Sequence, residues 1–426
     1  MVSHRPPCSL FPNHLKKFNM TRRFILTIAG IGLIAVLIRL TIPFNSNQEK
    51  FPELLPRQGV VGSVDELNFL TEKYMQLTTD LQLHPEHTGN WLTLAELYMQ
   101  EARISGEHGH YYPAALEMIK QAGALKQMKV TDRYRAILDK ASVLMSLHRF
   151  QEALDEGRQA IKLNPYDAAI YGVLVDANVE LGHYAEAVTM ADKMVSIRPD
   201  IRSYSRISYL REIHGDVDGA IEAMKLAVAA GYPGQEQTEW ARYQYGSLLQ
   251  RYGHADEARK AFEESLVMRT NYPFALAALG RLAIDQGDEK TGESKLREAI
   301  AIIPEISFYV SLAELYQKQD REAEALALTK TIHEMLKDDE RTGHMMNLEK
   351  AYILETLDHN QKEAWQVLQE EYLRRPDNIE VNKHLVQLAM AMDDVQSGEK
   401  YWNGATRTAT KDPDLQPVAA WLGEEF

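Results

Sequence analysis

The sequence predicts an all-α chain of repeated helical hairpins behind one apolar segment, and three observations predict it. One stretch is written twice: Phe150, Ala153, Ala160 and Pro165 return as Tyr184, Ala187, Met194 and Pro199, each pair 34 residues apart. Self-similarity at a fixed period of this size is the mark of a solenoid or array. Phe24 to Phe44 carries only one charge, Arg39. At 426 residues, with 45% hydrophobic and 25% charged residues, the chain is globular in composition but long for one compact core.

The N-terminal run comes first. At about 1.5 Å per residue, a helix over 24–44 spans roughly 30 Å, the thickness of a bilayer's hydrocarbon core. Arg39 sits near its end, where a long stem reaches the interface. Lys16, Lys17, Arg22 and Arg23 precede the run, which by the positive-inside rule places residues 1–23 in the cytoplasm as a short basic tail. The expectation is a single-pass anchor in a bacterial inner membrane, with everything after it periplasmic. A cleaved signal peptide is the alternative, but no A-x-A-like site follows Ile38. Translation starting at Met20 would remove residues 1–19. Residues 45–62 are polar, with Pro52 and Pro56, and read as a linker. Ser63 with Glu66 three residues on is a capping-box start for a helix over 63–87 that covers the front of the array.

Charge narrows the partners. Residues 1–50 hold seven basic residues against Glu49 alone, so the formal −14 of the chain leaves −20 on the other 376. Such a surface repels phosphate backbones, which argues against nucleic acid. Cys8 is the single cysteine, so no internal disulfide, CxxC pair or thiolate cage is possible.

From residue 88 the hairpins follow one another to about 408. The second helix of each carries a small residue where it crosses the first: Ala115, Ala153, Ala187, Ala220, Ala258, Gly292, Ala325, Ala364 and Gly398. Small side chains there let two antiparallel helices approach, and Pro165, Pro199, Pro304 and Pro376 stop the second helix. Three irregularities stand out. Ile104–Tyr112 reads as a lengthened loop, the fourth unit runs one residue early until Gly231-Tyr232-Pro233, and 337–344 interrupts the rhythm. Residues 409–426 close the rear.

This pattern resembles the tetratricopeptide repeat (TPR) family. The resemblance implies a right-handed superhelix of about nine hairpins whose first helices line a concave groove for a protein or peptide client. Projecting that face onto the central units collects Arg202, Tyr209, Trp240, Tyr243, Phe274 and Arg281. Aromatics and arginines are enriched at binding hot spots, although Trp240 and Phe274 would also suit packing between units. Positions that carry a basic carboxylate clamp in some relatives hold Leu92, Glu96, Leu138, Ser142 and Gly172 here, so that clamp is missing.

Catalysis finds no support: no G-x-S-x-G, Walker A or H-E-x-x-H motif occurs. His84, His87, His108 and His110 invite a metal reading, but no carboxylate or cysteine completes a ligand spacing, and exposed loop histidines are expected instead. No cofactor and no enzymatic activity are expected. The expected function is a membrane-anchored scaffold that holds a client in a bacterial envelope assembly. The alternatives are an accessory subunit of an enzyme complex and a repeat protein secreted after signal cleavage.

Overall fold

The computed structural model describes residues 51–57 and 64–426. Its contacts divide the chain into two units, 1–53 and 54–426, and the helical array lies within the second. The expected anchor over 24–44 lies outside the described residues, and among those no helix is long and apolar enough to cross a membrane.

Helix α1, Val64–Leu83, precedes nine hairpins, each with a first helix (A) and a second (B). Repeat one pairs Thr88–Ser105 with His108–Gly123, and repeat two pairs Val130–Ser146 with Phe150–Leu163. Repeats three and four are Ala168–Glu180 with Tyr184–Ile197 and Ile201–Ile213 with Val217–Ala229. Repeats five and six are Glu236–Arg251 with Ala255–Met268 and Pro273–Asp285 with Glu289–Ile300. Repeat seven joins Ile306–Lys318 to Glu322–Thr342, repeat eight Asn347–Thr356 to Gln361–Arg374, and repeat nine Ile379–Ala391 to Val395–Ala405. A short 3-10 turn and the helix Gln416–Leu422 complete the chain. Strands are absent among the described residues.

The repeated residues do the packing. Ala115, Ala153, Ala187, Ala220, Ala258 and Ala364 are completely buried at the crossing, and so are Ala122, Ala160, Ala227 and Ala299 two turns further along helix B. The prolines that stop helix B leave a carbonyl that the next helix A satisfies. Trp91 Nε1 donates to the Pro85 carbonyl at 2.9 Å, Tyr171 Oη to that of Pro165 at 2.9 Å, and Asn382 Nδ2 to that of Pro376 at 2.9 Å. A buried carbonyl without such a partner would be costly. Between helices A and B the chain turns through one left-handed residue, at His148, Gly182, Gly215, Gly253, Gly287, Asp320, His359 and Asp393.

Two irregularities turn out differently from the sequence expectation. Ile104–Tyr112 is not a long loop: helix A runs to Ser105 and helix B starts at His108, because Tyr111 and Tyr112 are buried and hold that turn helical. Nor does 337–344 break the array. It continues helix B of repeat seven to Thr342, with Leu336 buried beneath it, and only Gly343 in a left-handed cap ends it.

The array also closes on itself. Glu66 of α1 accepts from Arg269 after repeat five, 203 residues away, at 3.0 Å. Gly106 packs on Ile303 and Pro304, after repeat six. His148 in the turn of repeat two meets Met345, after repeat seven, 197 residues on. Glu180 and Tyr184, flanking the turn of repeat three, take hydrogen bonds from Arg375 and Ile379, each 195 residues on, after repeat eight. Gly215 in repeat four lies against Ala409, after repeat nine. Each A–B turn of the front half therefore touches the linker five repeats ahead, and a continuous seam joins one turn of the superhelix to the next.

Candidate protein-binding surface

Four of the six candidate residues come together on neighbouring A helices. Trp240 and Tyr243 belong to repeat five, Phe274 and Arg281 to repeat six. The Trp240 ring centre is 5.3 Å from Tyr243 and 4.9 Å from Phe274, the latter edge-to-face, and Tyr243 is 5.6 Å from Phe274. These separations fall in the range where aromatic pairs attract beyond simple burial. Arg281 Nη2 donates to Tyr243 Oη at 3.3 Å. Trp240 is 39% exposed, whereas Tyr243 and Phe274 are half-buried. Phe274 runs on to Phe308 of repeat seven at 5.4 Å, so it wedges between units while Trp240 meets solvent. The arrangement offers a ring face with a hydroxyl and a guanidinium at its rim, which suits binding rather than bond-making.

No family model matches the chain. A 125-residue segment is 29% identical to the small glutamine-rich tetratricopeptide repeat-containing protein 2 of Saccharomyces cerevisiae, covering 29% of this chain and 33% of that protein. The chain thus spans about a third of that relative's length. Nine successive hairpins carry the small-residue crossing, and the matched segment lies within that array's kind of repeat. The fold is that of a TPR-like solenoid.

Solved structures similar to this chain include human IFIT1 as a dimer with PPP-AAAA, at 14% identity over 76% of this chain and 73% of that one, TM-score 0.48. The Cut9–Hcn1 hetero-tetramer of the APC/C aligns at 12% identity over 83% and 76%, TM-score 0.42. YrrB, a TPR protein with an unusual peptide-binding site, aligns at 21% identity over 41% and 88%, TM-score 0.29. Similarity of this order says nothing of what this chain binds.

The other two candidates stand apart in the array. Tyr209 lines a small polar pocket with Glu212, Arg251, Glu380, Lys383 and Asp412, so it faces the rear of the chain across the seam. Lys383 Nζ donates to Asp412 at 2.9 Å, Arg251 pairs with Glu212, and burial pushes the Tyr209 phenol well above its ordinary range. Arg202 is exposed, and among the described residues its guanidinium makes no hydrogen bond. Partial burial, followed by Arg198, Arg206 and Arg103, outweighs Asp200 and holds it below the usual arginine value.

Sequence reasoning missed the polar ladder between successive A helices. Arg135 pairs with Glu96, Arg206 with Asp176 and Arg251 with Glu212, each reaching back one repeat. Charge alone does not show which pairs share a register. One seam residue did leave a signal. Glu371 stands where other repeats have Ala160, Ala227, Ala299 or Ala405, and a carboxylate in a small-residue slot needs a cation. It is 2% exposed and pairs with Arg375, which also reaches Glu180 and stacks on Phe150 at 4.8 Å.

The histidines also separate. His84 and His87 remain in a turn, 5.8 Å apart, with His84 exposed beside Glu86. His108 and His110 are not loop residues but lie in the first turn of a helix, packed on Tyr112 and Tyr111 respectively. Among the described residues no cluster of His, Cys, Asp or Glu is arranged to hold a metal ion.

Proposed function

We propose that this TPR protein is a binding scaffold that holds a protein or peptide client against the Trp240–Tyr243–Phe274 surface. The carrying observation is that Trp240 is 39% exposed within an aromatic cluster whose other members are locked by packing. A pre-formed aromatic anchor needs little ordering on binding, so more of the contact energy appears as affinity. Arg281 at the rim supplies polar recognition, and the surface acts by capture without chemistry.

The apolar run 24–44 and its basic flank support a membrane anchor, with the N-terminus in a bacterial cytoplasm and the repeats in the periplasm. On this reading the client belongs to an envelope assembly or biogenesis complex. Crosslinking pull-down from intact cells tests the surface. Trp240→Ala with Tyr243→Ala should reduce client recovery by at least about tenfold, as expected for a hot spot of about 1.4 kcal/mol or more, with the helical signal unchanged. Undiminished recovery removes the proposal. Fractionation of the full chain against a form lacking 24–44 tests the anchor.

A further inference from the structure

The seam carries a cluster that neither the binding surface nor the repeat pattern requires. His108 opens helix B of repeat one, His148 occupies the left-handed turn of repeat two, and His344 lies in the linker after repeat seven. The His344 ring centre is 4.8 Å from His148 and 6.1 Å from His108, edge-on to both. His344 is 6% exposed, its Nδ1 lies 3.3 Å from Asp339 Oδ1, and its Nε2 is buried with no hydrogen-bond partner. His148 Nδ1 donates to the Met345 carbonyl at 2.9 Å and its ring stacks on Phe150 at 5.4 Å; His108 stacks on Tyr112 at 5.3 Å. Three imidazoles from two turns of the superhelix thus meet at one point of the seam.

We propose that His108, His148 and His344 form an acid-sensitive latch, which closes the front turn of the array on the rear turn while the rings are neutral and releases it when they are protonated. A charge on one ring meets a neighbouring ring across the seam at under about 6.5 Å, in surroundings of low dielectric where like charges repel strongly. Other charges face the cluster. Asp339 and Glu349 favour protonated rings, while Arg375 opposes them, and Arg374 reaches the His148 carbonyl.

Burial outweighs those carboxylates, bringing His108 down to about 4 and His148 below its ordinary value. For His108 and His148 the folded pKa lies below the unfolded value of about 6.5, so these two rings cost nothing above that pH. Stability of the closed seam then falls as pH drops from about 6.5 toward 4. Glu180 works the other way. Burial ahead of Arg375 raises it to about 7, so the closed form takes up its proton more readily and this carboxylate alone would favour closure in acid.

Hydrogen–deuterium exchange on the full chain in detergent micelles, corrected for intrinsic rates, tests the latch at pH 7.5 and 5.0. Segments 143–150 and 341–348 should lose protection at least about tenfold at pH 5.0, one decade being the full effect of a pKa displaced by one unit and His108 being displaced by more, while 276–283 inside repeat six stays protected. His148→Gln with His344→Gln should keep the seam closed at pH 5.0, and His344→Arg, with its permanent charge, should open it at pH 7.5. Seam protection that is equal at both pH values overturns the proposal, as does the same acid loss in the double Gln variant. If that variant loses its helical signal, the wild-type midpoint decides: between about 4 and 6.5 supports the latch, and outside that window overturns it. Glu180→Gln should leave the direction unchanged; a reversal would assign the pH response to the carboxylate and overturn the latch.

Discussion

Gly182 and Gly287 hold the same place in their repeats and nearly the same backbone, with φ of 81° and 84°. Around Gly287 nothing lies within 4 Å of where a Cβ would be, whereas at Gly182 that atom would sit 2.4 Å from the backbone carbonyl carbon of Asp377. The front half of the array thus uses its turns twice, once to reverse the chain and once to seat the rear half. In the rear half the turns at Gly253 and Gly287 have open space where a Cβ would stand. Arginine repeats the contrast: Arg198, Arg269 and Arg375 share one position after helix B. Arg198 is exposed beside Asp200, while the other two are buried in carboxylate pairs along the seam.

The largest effect should separate the two glycines. Gly182→Ala should cost more than about 3 kcal/mol because its methyl meets backbone that has no room to yield. Gly287→Ala should cost roughly 1 kcal/mol for the left-handed backbone alone. Urea unfolding followed by circular dichroism checks both, and equal losses would mean that the seam is not closed in solution. Next, Arg375→Leu leaves buried Glu371 with Arg374 and Asn347 on one oxygen only and takes the cation from Glu180, which should destabilise by about 3 kcal/mol, whereas Arg198→Leu should stay within about 0.5 kcal/mol. Thermal melts of the two variants make that comparison directly.

The smallest effect concerns a buried carboxylate away from the seam. Asp139 has an oxygen without a partner, and burial, reinforced by Glu96, lifts it to about 7 despite Arg135. Its folded pKa lies above the unfolded value, so its cost grows as pH rises from about 4 to 7 and is complete above that. Asp139→Asn should therefore add about 1 kcal/mol at pH 8 and less at pH 5, read from melts at both. Glu371, buried to a similar degree but paired, should show no such gain when changed to Gln.

The hairpins were legible because a small residue is required wherever two helices cross, so Ala153 and its counterparts recur in register. Trp240, Tyr243, Phe274 and Arg281 could be grouped for a related reason, since the face of helix A is periodic along the array. The seam had no such signature. Its contacts join residues about two hundred positions apart, and nothing in the spacing of Tyr209 distinguished an open groove from a wall facing Glu380 and Lys383. Helix B of repeat seven was misread because Lys337–His344 is polar enough to look like a loop, while the apolar contact that holds it comes from Leu336, just before it.

The fivefold register of the seam bears on how such a chain can change length. An open solenoid gains or loses a unit at little cost, because each unit answers only to its immediate neighbours. Here, duplicating one hairpin between repeats three and eight would present Gly182 and Glu180 with the wrong linker and displace Arg375 from both. What the seam fixes is therefore the number of repeats per superhelical turn, and a change inside the array is resisted where it would alter that number.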